Sequence, residues 1–310
     1  MKTKEYTIEA TGGKELHAKK WVPANGNPKA AVLIIHGIAE HSGRYGQFAE
    51  FLAGHQFAAI AFDHRGHGKT DPDRLGLVDS SDQFITMVSD IDYVSDDVQK
   101  QFAGIPLIFF AHSMGSFLCQ RYLQLYENKP DGIIYSGSSG KPPFYMHGGI
   151  ILARLIRKFK GKQYKSKLIR NLTFGPYNAM FKPNRTNHDW LTRDENEVDS
   201  YIEDPYCGFL PSVSLLHDLF NGLDQLHRTK PFIGSDPTIP ILMLSGKDDP
   251  VGYMGEGAMR LEKQLLGSGA TRLDLKLYDN ARHVLLNEFN REEVMDDIIE
   301  WVEMALNNEY

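Results

Sequence analysis

Cysteine is scarce: Cys119 and Cys207 are the only two in 310 residues. Two thiols so far apart supply neither a disulfide framework nor the spacing of a metal site. No apolar run approaches the roughly 20 residues of a membrane-spanning helix. Met1–Lys2–Thr3–Lys4–Glu5–Tyr6 lacks the apolar core of a secretory signal. These absences set the expectation of a soluble protein in a reducing compartment, most simply the cytoplasm. Positive charge is not in excess either. Thirty-four Lys and Arg against 40 Asp and Glu leave a net charge of −6, which argues against a general nucleic-acid binder. Internal repeats and low-complexity tracts are missing too.

One absence is local. No Asp or Glu occurs from Gly132 to His188, while Lys141, Arg154, Arg157, Lys158, Lys160 and further basic residues fall there. An acidic chain has gathered positive charge in one stretch.

What is present reads as strands and helices in alternation. Tyr6–Ala10 and Leu16–Trp21 form a hairpin through Thr11–Gly12–Gly13. Ala30–Ile35 and Phe57–Phe62 are continuous apolar runs, as expected of strands buried on both faces. Helical spacing appears over Tyr45–Gly54 and Asp82–Phe102. Leu107–His112 is another buried strand, Ser116–Leu123 has helical spacing, and Gly132–Ser136 is a strand again. This βαβ rhythm predicts a mainly parallel sheet with ligand-binding loops at the strands' carboxyl ends. From about Gly137 to Asp236 no strand-like run occurs. Ile239–Ser245 then resumes the sheet, followed by a helix over Tyr253–Leu266, a strand over Leu273–Tyr278 and a helix over Arg291–Leu306. The expected domains are therefore a core of 1–136 with 237–310 and an inserted helical cap of 137–236.

The organising stretch is Ala111–His112–Ser113–Met114–Gly115, where a strand stops, turns sharply and starts a helix. It matches the nucleophile-elbow pattern G-x-S-x-G except that Ala stands at the first position. The serine at such an apex points away from the sheet, and the amides opening the next helix face developing negative charge. A serine hydroxyl needs a base, and the base an acid, which in elbow proteins follow in the order Ser, Asp/Glu, His. Gly246–Lys247–Asp248–Asp249–Pro250–Val251 and Asn280–Ala281–Arg282–His283–Val284–Leu285 follow the last two strands, on the same rim. The residues alone leave Asp248 and Asp249 both open as the acid.

The chain resembles the α/β-hydrolase superfamily, and within it the monoacylglycerol lipase and lysophospholipase group. The resemblance rests on the two stretches just given, on the elbow, and on His36–Gly37–Ile38–Ala39–Glu40–His41–Ser42–Gly43–Arg44–Tyr45 and Phe62–Asp63–His64–Arg65–Gly66–His67–Gly68. It implies an α/β-hydrolase fold: a mainly parallel eight-stranded sheet flanked by helices, with a helical cap. It implies Ser113 as nucleophile, Asp249 as acid, three residues after the glycine, and His283 as base. The amides of Ile38 and Met114 would be the oxyanion donors. The implied reaction is hydrolysis of a single-chain lipid ester or simple carboxylic ester through an acyl-enzyme, with no metal or organic cofactor required. A proline-type aminopeptidase of the same fold and a non-catalytic binding module are the competing readings. Asp204–Pro205–Tyr206–Cys207–Gly208–Phe209 also resembles a cap segment of the group and is expected to fix the cap's return over the site.

Other patterns weaken on inspection. His36-x-x-x-Glu40-His41 is one residue too long for the H-x-x-E-H zinc pattern, and His64-x-x-His67 is short of ligands, so both are expected to hold loops by hydrogen bonds. Gly68–Lys69–Thr70 ends like a phosphate loop, but Asp63 stands where that loop needs glycine. His112 is expected to pack beside the site. In the basic stretch, Phe144, Tyr145, Met146, Ile150, Ile151, Leu152, Leu155, Ile156 and Phe159 form an apolar helical stripe. The ordinary reading packs this helix on the core with a solvated basic face. The functional one lines an acyl tunnel with the stripe and turns the basic face to anionic lipid.

Overall fold

A computed structural model describes residues 1–127, 130–141, 146–229 and 236–307. The hairpin pairs β1 (Lys2–Ala10) antiparallel with β2 (Lys14–Val22). After β3 (Ala30–Ile35) come α1 (Gly46–Gly54) and β4 (Phe57–Phe62). Then follow α2 (Gln83–Gln101), β5 (Leu107–His112), α3 (Met114–Leu125) and β6 (Gly132–Ser136). Four helices precede the next strand: α4 (Met146–Lys160), α5 (Lys167–Ala179), α6 (Glu195–Glu203) and α7 (Val213–Arg228). The chain closes with β7 (Ile241–Gly246), α8 (Glu256–Leu266), β8 (Leu273–Tyr278) and α9 (Arg291–Asn307). The eight strands form one sheet in the order β1-β2-β4-β3-β5-β6-β7-β8. From β4 to β8 every pairing is parallel; β2 meets β4 antiparallel.

The continuous apolar runs are explained by two cores. In β3, Ala31, Leu33 and Ile35 enter the core under α2, α3 and α8, while Ala30, Val32 and Ile34 enter the one under α1 and α9. β4 divides the same way: Ala58, Ile60 and Phe62 on one face, Phe57, Ala59 and Ala61 on the other. Each fully buried large side chain contributes roughly 1.5–3 kcal/mol, so both faces must be apolar.

Two of the boundaries that differ from the sequence reading have a backbone cause. β7 begins at Ile241 rather than Ile239, because Pro240 has no N–H to give to the ladder and only its carbonyl is used, accepting from Ile133. α8 begins at Glu256 rather than Tyr253. Tyr253, Met254 and Gly255 all have positive φ (51°, 58° and 82°), which breaks helical geometry there.

Candidate active site

β5 delivers Ser113 to the carboxyl edge of the sheet. Ser113 has φ 50° and ψ −120°, a conformation that costs a non-glycine residue about 1–3 kcal/mol. The turn is held on both sides. Ser113 N–H donates to Ser136 O (3.0 Å), and Ser116 Oγ donates to Ser113 O (2.6 Å) while accepting from the Ser138 hydroxyl (2.7 Å). Gly115 lets α3 approach β3: a Cβ there would run into the carbonyl oxygens of Ile35 and His36. The close approach in the elbow is thus at the second glycine position. Ala111 pairs between Ile35 and Tyr135 in the sheet interior and needs no such clearance.

The loops after β7 and β8 bring the other two residues. His283 Nε2 lies 2.9 Å from Ser113 Oγ, and His283 Nδ1 lies 3.0 Å from Asp249 Oδ2. With a carboxylate accepting at Nδ1, the ring proton sits there, and Ser113 donates its hydroxyl proton to Nε2. Asp249 is fully buried, and its second oxygen accepts from Val251 N–H (2.8 Å). Asp248 is half-buried and stands outside this chain of bonds. The His283 ring is packed between Trp190 (5.3 Å) and His112 (4.8 Å). Burial, with His283 nearby, pushes the His112 imidazole down to about 4. His112 is therefore a neutral packing neighbour at ordinary pH.

Ile38 and Met114 both line the cavity beside Ser113. Met114 is the first residue of α3, where an N–H has no acceptor within its own helix. Glu40 supports the Ile38 loop: it accepts from Gly37 N–H (2.5 Å) and from the Tyr45 hydroxyl (2.8 Å), and Arg44 Nε lies 3.4 Å away. Burial alone would raise the Glu40 carboxyl, but His112, Arg44, His36 and the Gly37 amide bring it down to about 2. The histidines noted above stitch loops together. His36 Nδ1–H donates to Gly37 O (2.7 Å), and its Nε2 accepts from His64 N–H (3.0 Å). Asp63 accepts from the amides of Ser42 (2.8 Å) and Lys69 (2.7 Å), which is the use of Asp63–Thr70 in place of a phosphate loop.

His41, Asp204 and Cys207 bring a nitrogen, a carboxylate oxygen and a sulfur within 4.8 Å of one another. Gly43 N–H donates to His41 Nδ1 (3.2 Å), which leaves the ring proton on Nε2, and Nε2 donates to Asp204 (2.8 Å). The trio joins the loop after β3 to the segment after α6. In that segment Gly208 N–H donates to Ala39 O (2.9 Å), and Phe209 packs edge-on against His67 (5.1 Å).

Ser113 opens into a cavity of about 390 Å³, within the usual range for a small-molecule site. Its apolar lining includes Ile38, Phe117, Leu216, Leu219, Phe220 and Leu223, and its polar and basic lining includes Arg170, Asn171, Lys182, Asn184, Asn187 and His188. This corrects the tunnel expected of the α4 stripe. Among the described residues, α5, α7 and the 187–191 loop contribute to the lining, and α4 does not. The stripe is too wide for one face. Ile150 and Ala153 are buried, and α4 packs on α7, so one helical position further round Ile151, Leu155 and Phe159 are turned outward, 58%, 48% and 77% exposed. Phe144, Tyr145 and the side chain of Met146 lie outside the described residues. Sequence reasoning also missed Trp190, Tyr201 and α7. The helical repeat Leu215–Leu219–Leu223–Leu226 was a visible signal for α7, but which of its faces met a cavity was not.

The architecture is that of an α/β-hydrolase. Residues 26–290 match the model of the family described as serine aminopeptidase, S33, and the chain belongs to that family. It is similar to the monoglyceride lipase of Homo sapiens, 28% identical over 302 residues, covering 94% of this chain and 87% of that protein. The monoacylglycerol lipase of Mycolicibacterium smegmatis is 25% identical, with 96% of each chain covered. Among solved structures, a thermostable carboxyl esterase from Bacillus coagulans, crystallised with glycerol, superposes with a TM-score of 0.88 at 26% identity over 99% of both chains.

Proposed function

We propose that the chain is a serine hydrolase that cleaves the ester of a single-chain lipid, a monoacylglycerol or lysophospholipid, or a simple carboxylic ester. The hydrogen-bonded line Asp249–His283–Ser113 at the floor of a part-apolar cavity carries this reading. Ser113 Oγ attacks the ester carbonyl as His283 Nε2 takes its proton. The amides of Ile38 and Met114 donate to the oxyanion. His283 gives the proton to the departing alcohol, and water, deprotonated by the same nitrogen, releases the acid from Ser113. Asp249 orients the imidazole and stabilises its charged form. The acyl chain lies against the apolar lining that α7 supplies, and the 137–236 insertion acts as a cap over the site. The names of the similar lipases and esterase agree with this assignment.

The family description raises the peptidase alternative. Removing an N-terminal residue calls for a carboxylate to hold the substrate amine. Glu40 is the one acidic side chain lining the cavity among the described residues, and it is committed to Gly37, Tyr45 and Arg44. Hydrolysis of monoacylglycerols, lysophospholipids and a proline arylamide by one preparation decides the matter. Faster turnover of the arylamide than of any ester overturns the lipid-ester reading.

The substrate is met, in this reading, at an anionic lipid surface. Ile151, Leu155 and Phe159 of α4 are exposed, as are Leu168 and Leu172 of α5, and the exposed Arg154, Lys158 and Lys160 lie beside the α4 set in the sequence. Apolar side chains that enter the headgroup boundary beside cations that meet lipid phosphates fit a peripheral contact. Among the described residues no helix is long and apolar enough to cross a membrane. A cytoplasmic setting belongs to this reading; Cys119 and Cys207 are both buried and form no disulfide.

A further inference from the structure

The loop after β3 is gripped from two sides. On the sheet side, Glu40 holds the Gly37 amide and the Tyr45 hydroxyl at 2.5 and 2.8 Å. On the other side, the Ala39 carbonyl accepts two bonds from the segment between β6 and β7: Tyr201 Oη donates at 2.9 Å and Gly208 N–H donates at 2.9 Å. Ile38 lies between the grips. Ala39 sits at φ 57°, a left-handed conformation that costs an alanine on the order of 1 kcal/mol. Such a residue persists where its surroundings over-determine it, and the two donors to its carbonyl do so. The grips are joined to each other: the Arg44 guanidinium lies 5.0 Å over the Tyr201 ring and pairs with Glu40.

We propose that Tyr201 is a positioning residue for the oxyanion site: its hydroxyl, by fixing the Ala39 carbonyl, holds the backbone that follows Ile38 and so keeps the Ile38 amide aimed at the reacting carbonyl. This rests on the reading of Ile38 as an oxyanion donor. α6 thereby links the seating of the segment above the cavity to the assembly of the site below it. An amide aimed at an oxyanion acts on charge that develops in the transition state, so its misdirection lowers kcat and leaves KM nearly unchanged.

Tyr201→Phe tests this. The substitution removes one oxygen and keeps the ring that lines the cavity and packs on His188 at 5.2 Å. Loss of a whole oxyanion donor costs about 10²–10³ in kcat, so a misaimed one is expected to cost about tenfold, with KM within about twofold. The rate at which a fluorophosphonate labels Ser113 falls in parallel, because the phosphonyl oxygen uses the same donors. Endpoint labelling counts folded sites, and kcat is expressed per labelled site. An unchanged kcat with an unchanged labelling rate overturns the proposal, and so does a change confined to KM. A wild-type chain that takes no label overturns the nucleophile reading and this proposal together. A labelled wild type with an unaffected Tyr201→Phe overturns this proposal alone.

Discussion

The hydroxyl of Ser113 and Nε2 of His283 stand 2.9 Å apart across 170 positions of sequence. That contact is made by the turn after β5 and the loop after β8, on the same rim of the sheet with β6 and β7 between them, and it sets the first expectation. Ser113→Ala and His283→Ala each lower ester hydrolysis by at least about 10⁴-fold, since a triad works as a unit. The double variant is expected to lose little more than either single one, which steady-state kinetics on a p-nitrophenyl ester reads directly.

The two adjacent aspartates are expected to behave differently. Asp249→Asn lowers kcat by about 10⁴-fold by disturbing the tautomer of His283. Asp248→Asn, on a residue outside the hydrogen-bonded line, leaves kcat close to that of the parent. Equal losses in both variants contradict the assignment of the acid.

Acyl-chain preference is expected to follow the apolar lining that α7 supplies. Leu216 and Leu223 both line the cavity, and Leu216→Trp or Leu223→Trp reduces the space beside them. Either shifts the best substrate of a p-nitrophenyl ester series toward shorter chains, with the reaction of the acetate ester retained. A series whose optimum does not move places the acyl chain elsewhere.

His112 predicts part of the acid sensitivity. Burial holds its folded-state value at about 4, below the ordinary 6.5 of the unfolded chain. Between those values the unfolded chain binds a proton that the folded chain refuses, so stability falls as pH drops from 6.5 toward 4. One such group contributes up to roughly 1.4 kcal/mol per pH unit in that window. Urea unfolding of His112→Asn at pH 7, 5 and 4 is expected to show a shallower fall than the parent. An identical slope contradicts it.

The exposed ridge gives an expectation independent of catalysis. Phe159→Glu together with Leu155→Glu is expected to weaken sedimentation with anionic vesicles and to leave hydrolysis of a soluble short-chain ester unchanged. Equal binding of the parent to neutral vesicles argues against the anionic surface.

Much of this was legible in the sequence, and for identifiable reasons. β3, β4 and β5 were read to the residue, because strands buried on both faces leave continuous apolar runs. Ser113 and the stretch carrying Asp249 stood out because a strand-turn-helix apex and strand-end acids follow local rules. Local patterns could not say which face of α4 or α7 met the cavity. Both helices are apolar over more than one face, and tertiary packing alone chose that Ile151, Leu155 and Phe159 turn outward while Leu216 and Leu223 turn in. The role of Tyr201 was equally hidden: its partner, the Ala39 carbonyl, is a backbone atom 162 positions away.

The central claim is that Ser113 is a nucleophile activated by His283. Intact-mass measurement after exposure to a fluorophosphonate tests it most directly. The account predicts a single adduct that peptide mapping places on Ser113, absent in Ser113→Ala and strongly slowed in His283→Ala. An adduct on another residue, or full ester hydrolysis surviving in Ser113→Ala, contradicts it.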